Sequence, residues 1–232
     1  MLIFCHLLAG ATIGLLGNRE RVALPLLAAG IVGALQPDLI DKPIGHLLLG
    51  ALLDNGRVFS HTLAFFLLVT ILGILFYRHR DPLTGPVLAL GVLSHQVLDA
   101  MWRDPSAWFY PLLGPFVPGR YPDFFLRGLI AEVSSPAEWL FGLTVLALVL
   151  VAVRPVVTGP AGRRLEVIRL LPSLGALVGL LGLLTLVAVS LNLPNPLARI
   201  TLPGDGLLLG AAAIVEGVIV IRAGQNDRGL RK

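Results

Sequence analysis

Seven apolar stretches, each close to the length of a membrane-crossing helix, make up most of this chain. They run over 2–17, 22–37, 61–77, 85–102, 138–153, 168–191 and 206–222. A run of roughly 20 apolar residues, at about 1.5 Å rise per residue, matches a hydrocarbon core of about 30 Å. The expected fold is therefore all-α: a polytopic transmembrane helical bundle of about seven spans plus interfacial helices. Composition agrees. Of 232 residues 56% are hydrophobic and 14% charged, and the mean hydropathy of +0.84 lies far outside the soluble range. The 26 glycines suit close contact between such helices.

Two shorter regions complete the layout. The stretch 44–53, after Lys42-Pro43, is too short to span and reads as an interfacial or half-inserted helix. The segment 104–136, rich in Pro, Gly and aromatic residues, reads as a structured outer loop with an interfacial helix. Met1 to Gly17 lacks a basic leader and a clear cleavage site, so it is expected to stay as a span. The single Cys5 excludes an intrachain disulfide and any multi-cysteine zinc site, and reads as a small apolar side chain.

Sidedness follows from the bias of Lys and Arg toward inner loops. With the N-terminus outside and the C-terminus cytoplasmic, inner loops hold 12 of the 18 basic residues and outer loops 6. A net charge of +4 suits anionic lipid headgroups. The basic residues are scattered through loops, which gives no footprint for nucleic acid.

Four polar islands interrupt the apolar chain. They are His6, then Pro37-Asp38-Leu39-Ile40-Asp41, then Arg57-Val58-Phe59-Ser60-His61, then Ser94-His95-Gln96-Val97-Leu98-Asp99. On the topology above, all four lie at the outer face. Ionisable groups in spanning helices are costly and mark function or a fixed partner, and histidines with aspartates form a metal-ligand inventory. His95 and Asp99, like Arg57 and His61, are spaced i,i+4, one face of a helix. Asp38 and Asp41 flank the end of the second stretch, beside a Pro37 where a helix would normally begin or break. Paired carboxylates repel unless a cation sits between them. Imidazoles mixed with carboxylates suit Zn, Mn or Fe, which lower the pKa of water toward about 7 for hydrolysis. Arg57 is fit to neutralise carboxylates or to grip a phosphate. Glu132 and Glu138 are further outer-face carboxylates. Glu216, inside the last stretch, is expected to pair within the bundle, and His46 reads as interfacial polarity, with a peripheral ligand as the alternative.

In order and spacing, His6, Gln36-Pro37-Asp38-Leu39-Ile40-Asp41, Arg57-Val58-Phe59-Ser60-His61-Thr62 and Gly91-Val92-Leu93-Ser94-His95-Gln96-Val97-Leu98-Asp99 resemble the YdjM-like family. Its members are described as membrane-bound, metal-dependent hydrolases, with a further label as LexA-binding and inner-membrane-associated. Tyr110-Pro111 echoes the aromatic-Pro that often follows. The resemblance covers roughly residues 1–115, leaving an outer loop at 116–137 and C-terminal spans at 138–232. It implies His6, Asp38, His61, His95 and Asp99 as metal ligands and Asp41 as a further one. A distant likeness to zinc-dependent phospholipase C and single-strand nucleases favours phosphoester hydrolysis.

Two departures stand out. Gly56 occupies a position where members commonly place a histidine, and the two aspartates are one residue further apart than usual. These imply a reduced metal count or a changed substrate. No residue pattern here supports a LexA-type partner.

The leading expectation is a metal-dependent, phosphoesterase-like hydrolase of a lipid or lipid-linked substrate at the outer face. Zn, or else Mn or Fe, would be held by His6, Asp38, His61, His95 and Asp99, with Asp41 and Arg57 as catalytic groups. One alternative is a transporter or proton or metal-ion relay using the same groups. Another is a non-catalytic scaffold in which the cluster is structural glue.

Overall fold

The computed structural model describes residues 3–18, 22–79, 83–119, 121, 123–158, 166–194 and 205–229. Among them secondary structure is helical throughout. The elements are α1 (Ile3–Gly17), α2 (Leu24–Lys42), α3 (Leu63–His79), α4 (Thr84–Leu98), α5 (Pro105–Trp108), α6 (Phe124–Val133), α7 (Pro136–Thr158), α8 (Leu171–Ser190) and α9 (Asp205–Gly229).

Each of the seven apolar stretches contains one helix, but the helices differ in reach. Four are long and apolar enough to cross a membrane: Leu24–Leu48, Pro136–Arg154, Val167–Ser190 and Asp205–Asn226. Three are shorter, at Ile3–Gly17, Leu63–Leu75 and Thr84–Leu98. A 15-residue helix covers only about 22 Å, less than a typical hydrocarbon core.

Two proline expectations need correction. Pro37 neither starts nor ends a helix, because it lies inside α2. Nor does Pro43 separate an interfacial helix from the second span. It opens a π-helical turn, Pro43–Leu48, that continues α2 into a single 25-residue segment. Proline is tolerated within membrane helices where packing supports the backbone, and the Ser60 hydroxyl, donating to the Pro37 carbonyl at 2.9 Å, ties the following loop to α2. The wider turn keeps His46 on the helix.

α1, α2 and α4 pack together, α3 leans on α4, and α7 covers α1. Lipid tails are as apolar as leucine, so helix association here rests on close packing rather than on escape from water. α1 and α2 show how close that is. A Cβ on Gly30 would stand 2.0 Å from the Gly10 carbonyl oxygen, so only glycine lets the two backbones meet. Behind α1, Leu8, Ala11 and Leu15 pack in one cluster with Phe141, Val145 and Leu148 of α7. α8 and α9 form a second close pair, where a Cβ on Gly217 would meet the Gly175 oxygen at 2.4 Å. α6 turns Phe125, Leu126, Leu129, Ile130 and Val133 outward while burying Glu132. Such a face is of the kind that a helix at a membrane surface presents.

This packing brings one end of the bundle together. The first turns of α1, the last turns of α2, the loop before α3 and the end of α4 meet there.

Candidate metal centre

The loop before α3 is built around Asp41. Its fully buried carboxylate accepts from the backbone N–H of Val58 at 2.9 Å, Ser60 at 2.9 Å and His61 at 3.0 Å. His61 Nδ1 also donates to it at 2.7 Å. Gln96 of α4 ties the same loop down, donating to the Thr62 carbonyl at 2.9 Å and accepting from the Trp108 indole at 3.0 Å. His61 is therefore fixed at both its backbone and its ring.

His95 is fixed from the other side, its Nδ1 lying 2.6 Å from the Ala34 carbonyl oxygen. A carbonyl and a carboxylate can only accept, so both imidazoles carry their protons on Nδ1. In the neutral rings that leaves two Nε2 lone pairs facing each other at 3.1 Å in a fully buried setting. Asp38 Oδ1 lies 3.7 Å from His61 Nε2 and 3.6 Å from His95 Nε2. Asp99 Oδ2 lies 3.8 and 4.0 Å from the same two atoms. His6 stacks on His95, ring centroids 4.1 Å apart, and its Nε2 is 3.2 Å from Asp99 Oδ1.

The structure thus brings His6, Asp38, His61, His95 and Asp99 together as two overlapping sets, His6/His95/Asp99 and Asp38/His61/His95. Within each set the ligand atoms lie within 4.8 Å of one another. Ligands held about 2.0–2.2 Å from a tetrahedral ion stand roughly 3.3–3.6 Å apart. Distances of 3.1, 3.6 and 3.7 Å among His61, His95 and Asp38 fit that spacing, and the donor set fits a borderline divalent cation.

Cations surround the cluster. Arg57 reaches Asp99 Oδ2 with Nε at 3.1 Å and Nη2 at 3.0 Å, while Lys42 bonds Asp38 Oδ2. Both line a cavity of about 480 Å³ whose walls include His6, Asp38, His46 and Asp99, with Arg103 and Asp205 further round. Arg103 pairs with Asp205 at the start of α9, so the last helix closes one side.

The remaining sequence candidates fall elsewhere. Asp41, expected as a catalytic group, stands behind His61 with both oxygens occupied by backbone N–H groups. Glu132 and Glu138 do not join the cluster. They cap the start of α1, accepting from the N–H of Ile3 at 3.3 Å, Phe4 at 2.7 Å and Cys5 at 3.3 Å. Glu216 is buried, with its Oε2 unpartnered among the described residues, so it lacks the expected partner there. Of the basic residues in the sidedness count, Arg19, Arg21, Arg80, Arg120, Arg163, Arg164, Arg199, Arg231 and Lys232 lie outside the described residues.

Sequence reasoning passed over Lys42 and the His46–Asp54 pair. Lys42 had a legible signal, because it lies four residues after Asp38 on a helix that Pro43 does not stop. For His46 the signal was weaker: a glycine beside it, and Gly56 ahead.

The fold and cluster define a helical membrane protein with a histidine–aspartate group that could hold a metal ion. The family model described as YdjM inner membrane protein matches residues 1–178, and the chain belongs to that family. The match runs well past the motif-bearing first 115 residues, through α7 and into α8. No curated protein and no solved structure matches the chain.

Proposed function

We propose that this protein is a membrane-bound, metal-dependent hydrolase acting on a phosphoester of a lipid or lipid-linked molecule at the outer membrane face. The observation that carries this reading is the meeting of the His61 and His95 Nε2 lone pairs, 3.1 Å apart, beside two carboxylates. A scaffold built from these groups would give each buried lone pair a donor, since an unpaired polar atom costs about 1–3 kcal/mol. The two Nδ1 bonds rule out such a donor between neutral rings, and a cation meets that need.

In this reading His6, Asp38, His61, His95 and Asp99 hold the ion, zinc first by donor type, with manganese or iron as alternatives. When bound, the ion supplies Lewis acidity and makes water nucleophilic near neutral pH. Asp41 fixes the tautomer and direction of His61, a role that outer partners of ligating histidines commonly serve. Arg57, with 44% of its side chain exposed, stabilises the negative charge that develops on a phosphoryl group. Lys42 holds Asp38 in place and adds positive charge to the wall. A cavity opening among apolar helix ends suits a headgroup whose tails remain in lipid. The seven apolar helices, with N-terminus outside and C-terminus inside, complete the proposal as through-going or deeply inserted elements.

The test uses zinc-loaded protein in vesicles containing phosphatidic acid and phosphatidylglycerol, with release of phosphate or headgroup as the readout. The native protein is expected to turn over one of them. Arg57→Ala is expected to lose about 100-fold in rate while keeping its metal. A fully metal-loaded native protein that releases nothing contradicts the reading.

A further inference from the structure

The cavity holds a second polar device, His46 with Asp54, one step along the helix from Asp38 and Lys42. Asp38, Lys42 and His46 follow one another at four-residue spacing along the continuous helix Leu24–Leu48, and all three line the cavity. His46 has only 3% of its side chain exposed. Its Nδ1 is 2.8 Å from Asp54 Oδ1, and its ring stacks on Phe124 with centroids 3.7 Å apart. Asp54 is anchored in turn by the Tyr121 backbone N–H, which donates to Oδ2 at 2.6 Å. These bonds hold the Asp54 carboxyl below the usual carboxylate range, the Tyr121 bond first and His46 second. Asp54 also has a φ of 39°, a left-handed conformation that costs energy in a residue with a side chain.

The far nitrogen, His46 Nε2, is buried and has no partner among the described residues. It lies against Gly56. A Cβ on Gly56 would stand 2.8 Å from His46 Nε2 and 3.3 Å from Lys42 Cγ. Gly45 is similarly constrained, since a Cβ there would meet the Asn55 carbonyl oxygen at 1.7 Å. The charged groups beside the ring are Asp54 and Lys42, and Tyr121, Phe124 and Phe125 supply aromatic contacts.

We propose that His46, oriented by Asp54, is the proton donor to the leaving oxygen of a phosphoester bound in this cavity. The proposal rests on the hydrolase reading above and assigns the leaving-group side of that site. The bond from phosphorus to the attacking water oxygen forms as the bond to the leaving oxygen breaks. The leaving oxygen keeps that electron pair and takes the proton from His46 Nε2. The attacking water's proton passes to solvent, and solvent returns one to His46. Asp54, bonded to Nδ1, fixes the direction of Nε2.

The experiment has two arms on zinc-loaded, full-length protein in detergent. In the first, p-nitrophenyl phosphate and phenyl phosphate share a phosphoryl group but differ in leaving group, good against poor. His46→Gln is expected to lose about 100-fold on phenyl phosphate and less than about 5-fold on p-nitrophenyl phosphate, with metal content unchanged. Gly56→Ala, which presses a methyl against Nε2 without removing the ring, is expected to show the same selective loss.

In the second arm, inorganic phosphate is titrated into protein labelled with 15N-histidine. The His46 Nε2 resonance is expected to shift in the native protein and to stay put in Gly56→Ala. Equal losses on both esters, or a native resonance indifferent to phosphate while both esters are hydrolysed, overturns the role of His46 and leaves the hydrolase reading standing. A phosphate-induced shift without hydrolysis of either ester overturns both.

Discussion

Two buried clusters of acidic residues lie at the same end of this molecule, and they solve the cost of burial in opposite ways. Glu132 and Glu138 accept from the first free N–H groups of α1, donors that any helix start leaves unpaired. Carboxyl oxygens there also suit the positive end of the helix dipole. Asp38 and Asp99 instead meet imidazoles whose protons are committed to the far side, toward Asp41 and Ala34. The first cluster is met by backbone N–H groups, whereas the second, held at its edge by Lys42 and Arg57, gathers around the facing Nε2 atoms of His61 and His95. Burial of carboxylates alone therefore does not identify a site. What identifies it is the meeting of two imidazole Nε2 atoms beside two carboxylates.

The strongest way to break this contrast is to prevent the second cluster from assembling. Gly30→Val would push a side chain into the Gly10 carbonyl, separating α1 from α2 and carrying His6 away from His95. The expected outcome is loss of monodisperse protein on size exclusion, or folded protein with no bound metal. Asp41→Asn acts more locally. It puts an amide where Asp41 accepts from three backbone N–H groups and the His61 ring. Metal affinity, measured by competition with a chelator, is expected to fall about 10- to 100-fold.

Glu138→Gln should touch stability alone. Weakening the cap on α1 is expected to cost about 1–2 kcal/mol in detergent unfolding, with metal content unchanged. Loss of metal there would erase the distinction between the two clusters.

The smallest effect concerns the exposed Asp54 carboxylate. Its pKa is lowered in the fold, first by the Tyr121 N–H and then by His46. Its contribution is therefore present above the unfolded value of about 3.9 and is lost as pH falls through the lower folded value. Limited proteolysis of the 49–60 loop should show an acid-side opening in the native protein. In Asp54→Asn that pH-dependent step should be absent.

Much of this contrast was legible in the sequence, and the gaps have physical causes. Hydropathy and charge counting placed His6, Asp38, His61, His95 and Asp99 at one face. Spacing alone does not fix hydrogen-bond partners, so Asp41 read as a second reactive carboxylate when it organises the loop and the His61 ring. Pro37 and Pro43 read as breaks because helix rules drawn from water overstate what proline does inside a packed membrane bundle. Glu132 and Glu138 read as possible site groups because their partners lie more than a hundred residues away, on the backbone of α1. The cavity wall supplied by Asp205 and Leu209 lies beyond the family match at 178 and carries no motif.

Elemental analysis of the detergent-purified protein, beside a His95→Ala/Asp99→Ala double variant, tests the central claim most directly. The account predicts one or more equivalents of zinc, manganese or iron in the native protein, lost in the double variant while its helical content and monodispersity are kept. Native protein without metal after incubation with all three ions, or a double variant that binds as much as the native, would contradict it.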